Sequence, residues 1–314
     1  MSARVAAIDC GTNSIRLLIA DVGADGRLVD LVRRMEIVRL GQDIDRTGVI
    51  APEAMERTLA MTREYAALCR EHGVTAVRFV ATSASRDARN AEEFVAGVRA
   101  AFGDLDVAPE VVEGVVEAEL SFTGATGELQ AVALPGPYLV VDLGGGSTEL
   151  VRGTSHVEAA YSMDVGSVRM TERHLHDDPP TPDQVAAARL DVQAALDVAE
   201  ESVGLGGVGA LVGLAGTITT ITAHALALTA YDPGASHLAQ IPAEVHREAC
   251  RSLLAMSRAE RSTLGFLHAG RVDVIGGGAL VWLEVLDRVL ARSPEAVVVT
   301  SEHDILDGIA LSLT

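Results

Sequence analysis

The chain has 314 residues, 48% hydrophobic and 22% charged, and a formal net charge of −19. Its 25 basic residues are all arginine, which excludes a lysine-dependent Walker A loop and any Schiff-base lysine. A chain this acidic is poorly suited to broad nucleic-acid binding, and no apolar run is long enough for a membrane span. The N-terminus enters a strand with no basic–apolar–small leader pattern. Cys10, Cys69 and Cys250 are scattered and make neither a disulfide framework nor a CxxC knuckle. A cytoplasmic protein with room for two domains is expected, with no membrane and no nucleic-acid partner.

Residues 5–9, 15–21 and 28–40 read as three antiparallel strands, joined by turns at Gly11 and at Asp25-Gly26. Pro52 opens an amphipathic helix to His72, with Gly73 as its C-cap. A buried strand over 76–81 runs into a polar loop over 82–90. Residues 91–102 read as helix, 110–113 as a short strand and 117–124 as helix. The stretch 127–137, with Pro135-Gly136-Pro137, marks a domain boundary.

The second half repeats the order. A strand from Leu139 ends at Asp142, Gly144-Gly145-Gly146 make a tight turn, and a strand over 147–151 returns. A third strand lies near 157–163, and Pro182 opens a helix over 183–203. A strand over 210–214 meets Ala215-Gly216-Thr217 and a helix from Ile218. Residues 272–275 lead into Gly276-Gly277-Gly278 and a helix through Leu290. A strand over 297–300 and a helix over 304–313 close the chain. Strands alternating with helices, with glycine at the strand ends, describe an α/β protein that binds ligands at those ends.

The two glycine turns match. Asp9-Cys-Gly-Thr-Asn-Ser-Ile-Arg-Leu-Leu18 aligns without a gap with Asp142-Leu-Gly-Gly-Gly-Ser-Thr-Glu-Leu-Val151, and Asp, Gly, Ser and Leu recur at the same offsets. Two such copies point to a duplicated fold with two phosphate-binding hairpins facing each other. Glycines remove the Cβ, so backbone N–H groups can close on an anion. Gly11, Thr12, Asn13 and Ser14 would supply donors in one hairpin. Gly144, Gly145, Gly146, Ser147 and Thr148 would supply them in the other. Asp142 and Glu149 add carboxylates, a donor set that suits Mg²⁺ beside a phosphate chain.

Several further stretches are distinctive: Ala7-Ile-Asp-Cys-Gly-Thr-Asn-Ser-Ile-Arg16, Ala81-Thr-Ser-Ala-Ser-Arg-Asp-Ala-Arg-Asn90, Gly114-Val-Val-Glu-Ala118 and Val141-Asp-Leu-Gly-Gly-Gly-Ser-Thr-Glu149. Later come Gly213-Leu-Ala-Gly-Thr217, Arg271-Val-Asp-Val-Ile275 and Ser301-Glu-His-Asp-Ile-Leu-Asp-Gly308. Through these the chain resembles the exopolyphosphatase/guanosine pentaphosphate phosphatase family of the actin-like ATPase superfamily, over nearly its whole length. One departure is Val116, where the family has glutamate.

The resemblance implies two actin-like (ribonuclease H-like) α/β domains with the duplicated hairpins and a substrate cleft between them. Domain I would span about 1–130 and regain the C-terminal helix 302–314; domain II would span 131–301. Glu117 is implied as the general base, although a glutamate at a helix start also fits a dipole-favoured surface position. Asp9, Asp142 and Glu149 would hold Mg²⁺ or Mn²⁺ and water. Arg86 and Arg89 would contact substrate, Arg86 by the stronger resemblance. Arg16 alternates with Ile15 and Leu17, which leaves substrate contact and a solvent-facing role both open. Arg169 and Arg271 are weaker candidates, Glu119 reads as solvated, and His174 with His176 reads as a solvated helix end.

The expected activity is release of orthophosphate from the end of inorganic polyphosphate, with short chains preferred and a homodimer as the assembly. The alternatives are guanosine pentaphosphate hydrolysis, an actin-like kinase, and a non-catalytic sensor of nucleotide or polyphosphate.

Overall fold

The structure, a computed structural model, describes residues 4–23, 27–129 and 132–314. The turn expected at Asp25-Gly26 lies outside the described residues. The chain divides into two compact units, Met1–Gly124 with Ile305–Thr314, and Ala125–Asp304.

In the first unit β1 (Arg4–Cys10), β2 (Ser14–Val22) and β3 (Leu28–Ile37) form an antiparallel set. Val38 and Arg39 leave the third strand because their N–H groups turn to the Asn13 carbonyl. The short α1 (Ile44–Thr47) precedes α2 (Pro52–Glu71), which starts at Pro52 as expected. Gly73 closes α2 at φ +63°, a left-handed conformation that favours glycine. Then follow β4 (Ala76–Ala81), α3 (Ser83–Asp87), α4 (Ala91–Phe102), β5 (Glu110–Val111) and α5 (Gly114–Leu129). β4 runs parallel to β1, and β5 parallel to β4, giving the order β3-β2-β1-β4-β5.

The alternation along β1 explains why residues 5–8 are all apolar. Ala6, Ile8 and Cys10 pack on one face with Tyr65, Phe79, Phe94 and Phe102. Val5 and Ala7 pack on the other with Leu18, Val80, Ile305 and Ile309. Side chains two residues apart share a face, so a strand covered on both sides is apolar along its middle, and Asp9 follows only at its C-terminal end.

The second unit repeats the plan. β6 (Tyr138–Leu143), β7 (Thr148–Gly153) and β8 (Val157–Met163) are antiparallel. α6 (Ser167–His174) and α7 (Pro182–Val203) follow, α7 opening on a Thr181–Gln184 capping box. β9 (Ala210–Leu214), parallel to β6, leads to α8 (Ala215–Ala225), α9 (Pro233–Ser236), α10 (Ala243–Ala255) and α11 (Arg258–Arg261). α12 (Ile275–Arg292) and β10 (Val297–Thr300), parallel to β9, complete the unit, and α13 (Ile305–Leu311) belongs to the first. The order β8-β7-β6-β9-β10 is that of the first sheet, strand for strand.

Four expectations need correction. Residues 83–87 are helical, so Arg86 sits on α3 and not in a loop. α5 starts at Gly114 and runs to Leu129, into the stretch read as a boundary. α8 begins at Ala215, not Ile218. The triplet Gly276-Gly277-Gly278 lies inside α12 and follows no strand. Its glycines serve packing: a Cβ on Gly277 would lie 2.5 Å from Thr171 Oγ1, and one on Gly278 2.4 Å from Thr217 Cγ2. α12 thereby approaches α6 and α8 more closely than any side chain would allow.

Candidate active site

In the first hairpin Asp9 on β1 stands directly opposite Arg16 on β2. Cross-strand partners share a face, and the Arg16 Nε and Nη2 donate to Asp9 Oδ2 at 2.8 and 2.6 Å. Arg16 is therefore drawn to the strand-end carboxylate and is not simply solvent-facing. The turn closes when the Gly11 N–H donates to the Ser14 carbonyl at 2.9 Å. The Asn13 carbonyl accepts from Val38 and Arg39, and the Thr12 carbonyl from Gly41. Thr12 Oγ1 lies 2.8 Å from Ser83 Oγ on α3. Gly41 has no room for a Cβ, which would stand 2.4 Å from Thr12 Cγ2.

The second hairpin makes the same turn bond, from the Gly144 N–H to the Ser147 carbonyl at 3.0 Å. Asp142 and Glu149 are opposed in register, and both are buried. Ser162 Oγ, opposite Glu149 on β8, donates to Glu149 Oε1 at 2.7 Å. The carbonyls of the glycines are held by the start of α6. Ser167 N–H binds Gly144 O, Val168 and Arg169 N–H bind Gly145 O, and Arg169 Nε donates to Gly146 O at 2.7 Å. Carbonyls pinned to one side orient the peptide N–H groups to the other, where an anion can be held.

Thr148 departs from expectation. Its hydroxyl is fully buried and donates to the Val165 carbonyl at 2.7 Å, so the side chain braces the strand. Arg89 is not brought to the site either: exposed, it donates to the Thr47 carbonyl and lies over Gly48. Arg169, a weaker candidate, braces the glycine turn, and Arg271 packs its guanidinium against Gly216. His174 is no solvated helix end, since its Nε2 lies 2.8 Å from Asp191 Oδ2 on α7.

Glu117 lies in the first turn of α5 and is only 8% exposed. Arg86 Nη1 donates to Glu117 Oε2 at 2.7 Å and to the Val112 carbonyl at 2.8 Å, tying α3 to the start of α5. Burial pushes the Glu117 carboxyl up to about 7. Arg86 opposes that rise, the Asp9 charge adds to it, and a hydrogen bond with Thr82 opposes it. A surface residue attracted to the helix dipole would show none of this. Val116 is half-buried against the cluster of Val112, Leu120 and Ile309, and Glu119 is exposed.

A buried carboxyl held near neutrality has a clear consequence if it is to act as a base. Only the carboxylate can accept a proton, so activity that depends on Glu117 falls about tenfold per pH unit below about pH 7 and levels off above it. A pH profile of kcat/KM checks this. Constant activity down to about pH 5 would remove Glu117 from the role of base.

Divalent-cation binding can be tested against these donors. Asp142 and Glu149 offer only oxygen, opposed across one strand pair, and Ser162 orients Glu149 from behind; such a set suits a hard cation. Asp9 fits less well, because its Oδ2 lies in the grip of Arg16.

Two sheets of identical strand order, each carrying a glycine hairpin at the end of its first strand, define a duplicated α/β fold. The Ppx/GppA phosphatase family model matches residues 18–313, and the chain belongs to that family. It is 51% identical to Exopolyphosphatase 2 of Mycobacterium tuberculosis, over 99% of this chain and 98% of that protein. A crystal structure of an exopolyphosphatase-like protein, 47% identical, matches with a TM-score of 0.95 over 99% of this chain and 98% of that one. The Aquifex aeolicus member of the family, 30% identical, gives 0.81 over 100% and 98%.

Proposed function

We propose that the chain is an exopolyphosphatase that removes the terminal phosphate of inorganic polyphosphate. Buried Glu117, gripped by Arg86, carries most weight: a carboxylate kept near neutral pKa beside a guanidinium suits the activation of water at an anionic centre. The Glu117 carboxylate takes one proton as the water oxygen bonds to the terminal phosphorus. The bond from that phosphorus to its bridging oxygen breaks, and the shortened chain departs with the electron pair on that oxygen. Orthophosphate is the second product.

Arg86 would take phosphoryl oxygens, a role that needs the planar fork of arginine. The N–H groups of a glycine turn such as Gly144–Gly146 would suit a terminal phosphate. Asp142 and Glu149 would hold Mg²⁺ or Mn²⁺, which neutralises phosphate charge when bound. Arg16 holds the Asp9 carboxylate in a fixed orientation. A cytoplasmic setting, drawn from three free buried cysteines, and a homodimer, drawn from the family resemblance, belong to the same proposal.

Phosphate release measured side by side on polyphosphate, guanosine pentaphosphate and ATP, with Mg²⁺ present, tests the substrate. Polyphosphate is expected to give the highest kcat/KM. A higher value on guanosine pentaphosphate, or phosphoryl transfer from ATP to an acceptor, would replace this proposal.

A further inference from the structure

The stretch 301–308 is distinctive in sequence, and the glycine hairpins do not account for its histidine. We propose that Glu128, His237 and His303 form a binding site for one borderline divalent ion of the Zn²⁺ type, distinct from the carboxylates of the glycine hairpins. The three residues come from the end of α5, the segment after α9 and the segment after β10, all within the second unit. Their ligand atoms lie within 4.8 Å of one another.

The spacing fits an ion. Glu128 Oε2 is 2.7 Å from His237 Nε2 and 3.5 Å from His303 Nδ1. Ligands of a tetrahedral ion with bonds of about 2.0–2.1 Å stand roughly 3.3 Å apart, between these two values. The imidazole rings are already neighbours, with centroids 4.7 Å apart at 45°. All three side chains keep some exposure, 53% for Glu128, 23% for His237 and 38% for His303, so an ion can enter and the ligands can close on it. Two imidazole nitrogens with one carboxylate oxygen select a borderline metal, whereas Asp142 and Glu149 offer oxygen alone.

The surroundings set the proton accounting. The Glu302 N–H donates to His237 Nδ1 at 3.2 Å, which keeps the proton of neutral His237 on Nε2, facing Glu128. An ion at Nε2 takes that place, and the proton moves to Nδ1 as the Glu302 contact opens. That contact is at the long end of the hydrogen-bond range, so little is lost. The Glu302 carboxylate faces Tyr231 OH, 2.7 and 2.8 Å from its two oxygens.

The test is calorimetric titration of Zn²⁺ into the full chain with excess Mg²⁺, repeated with Co²⁺ to read its visible absorption. One ion per chain is expected. Glu128→Gln and His303→Gln should each weaken it at least about tenfold, the loss that even an outer-shell change brings. Phosphate release with Mg²⁺ should stay unchanged in both variants. No binding, binding unchanged in both variants, or binding lost in Asp142→Asn but kept in His303→Gln would each overturn the proposal.

Discussion

Replacing Glu117 with Gln is expected to lower kcat by about 10²–10⁴ while KM changes little. The amide matches the carboxylate in shape, and its oxygen can still accept from Arg86 Nη1, so the junction of α3 and α5 survives. What disappears is the proton acceptor. Because Glu117 is almost fully buried, few outside groups can replace it, and because burial holds it near neutrality it is basic enough to matter. Steady-state kinetics on polyphosphate, with circular dichroism as the folding control, measure the effect. Turnover near that of the parent would show that another group takes the proton.

Gly308→Val should cost about 3 kcal/mol or more, at or above the top of the usual range for overpacking. A Cβ at Gly308 would lie 1.9 Å from the Leu120 carbonyl oxygen and 2.7 Å from its carbon. These are backbone atoms of α5, so no side chain can rotate out of the way. Relief requires α13 or α5 to move, and Leu120 lies one turn beyond Glu117 on the same helix. Stability and activity should therefore fall together. The drop in the urea midpoint and in kcat can be followed on one preparation. A midpoint and kcat both equal to the parent's would mean that α13 does not sit against α5 this closely.

Legibility in the sequence followed from how local each signal was. The glycine hairpins could be read because their residues are contiguous and occur twice, and the structure gives both the same Gly-to-Ser turn bond. Helix α2 could be read because Pro52 and Gly73 act within one turn of its ends. Arg16 could not be resolved, since its role depends on being opposite Asp9, and register is a property of two strands. Ser162 was missed for the same reason: it faces Glu149 only once β7 and β8 are paired. Thr148 and Arg89 were misread because a hydroxyl or guanidinium looks alike in sequence whether it meets a ligand or a carbonyl of its own chain. The triplet in α12 resembles a turn, and only the closeness of Thr171 and Thr217 explains it. Glu128, His237 and His303 lie too far apart in the chain to show ligand spacing.

Hydrolysis of polyphosphate in H₂¹⁸O, followed by mass spectrometry of both products, tests most directly whether water attacks the terminal phosphorus. With Glu117 activating that water, each orthophosphate released should carry one solvent oxygen, and the shortened chains none. Solvent oxygen in the shortened chains, with unlabelled orthophosphate, would place the attack on the neighbouring phosphorus and contradict the mechanism.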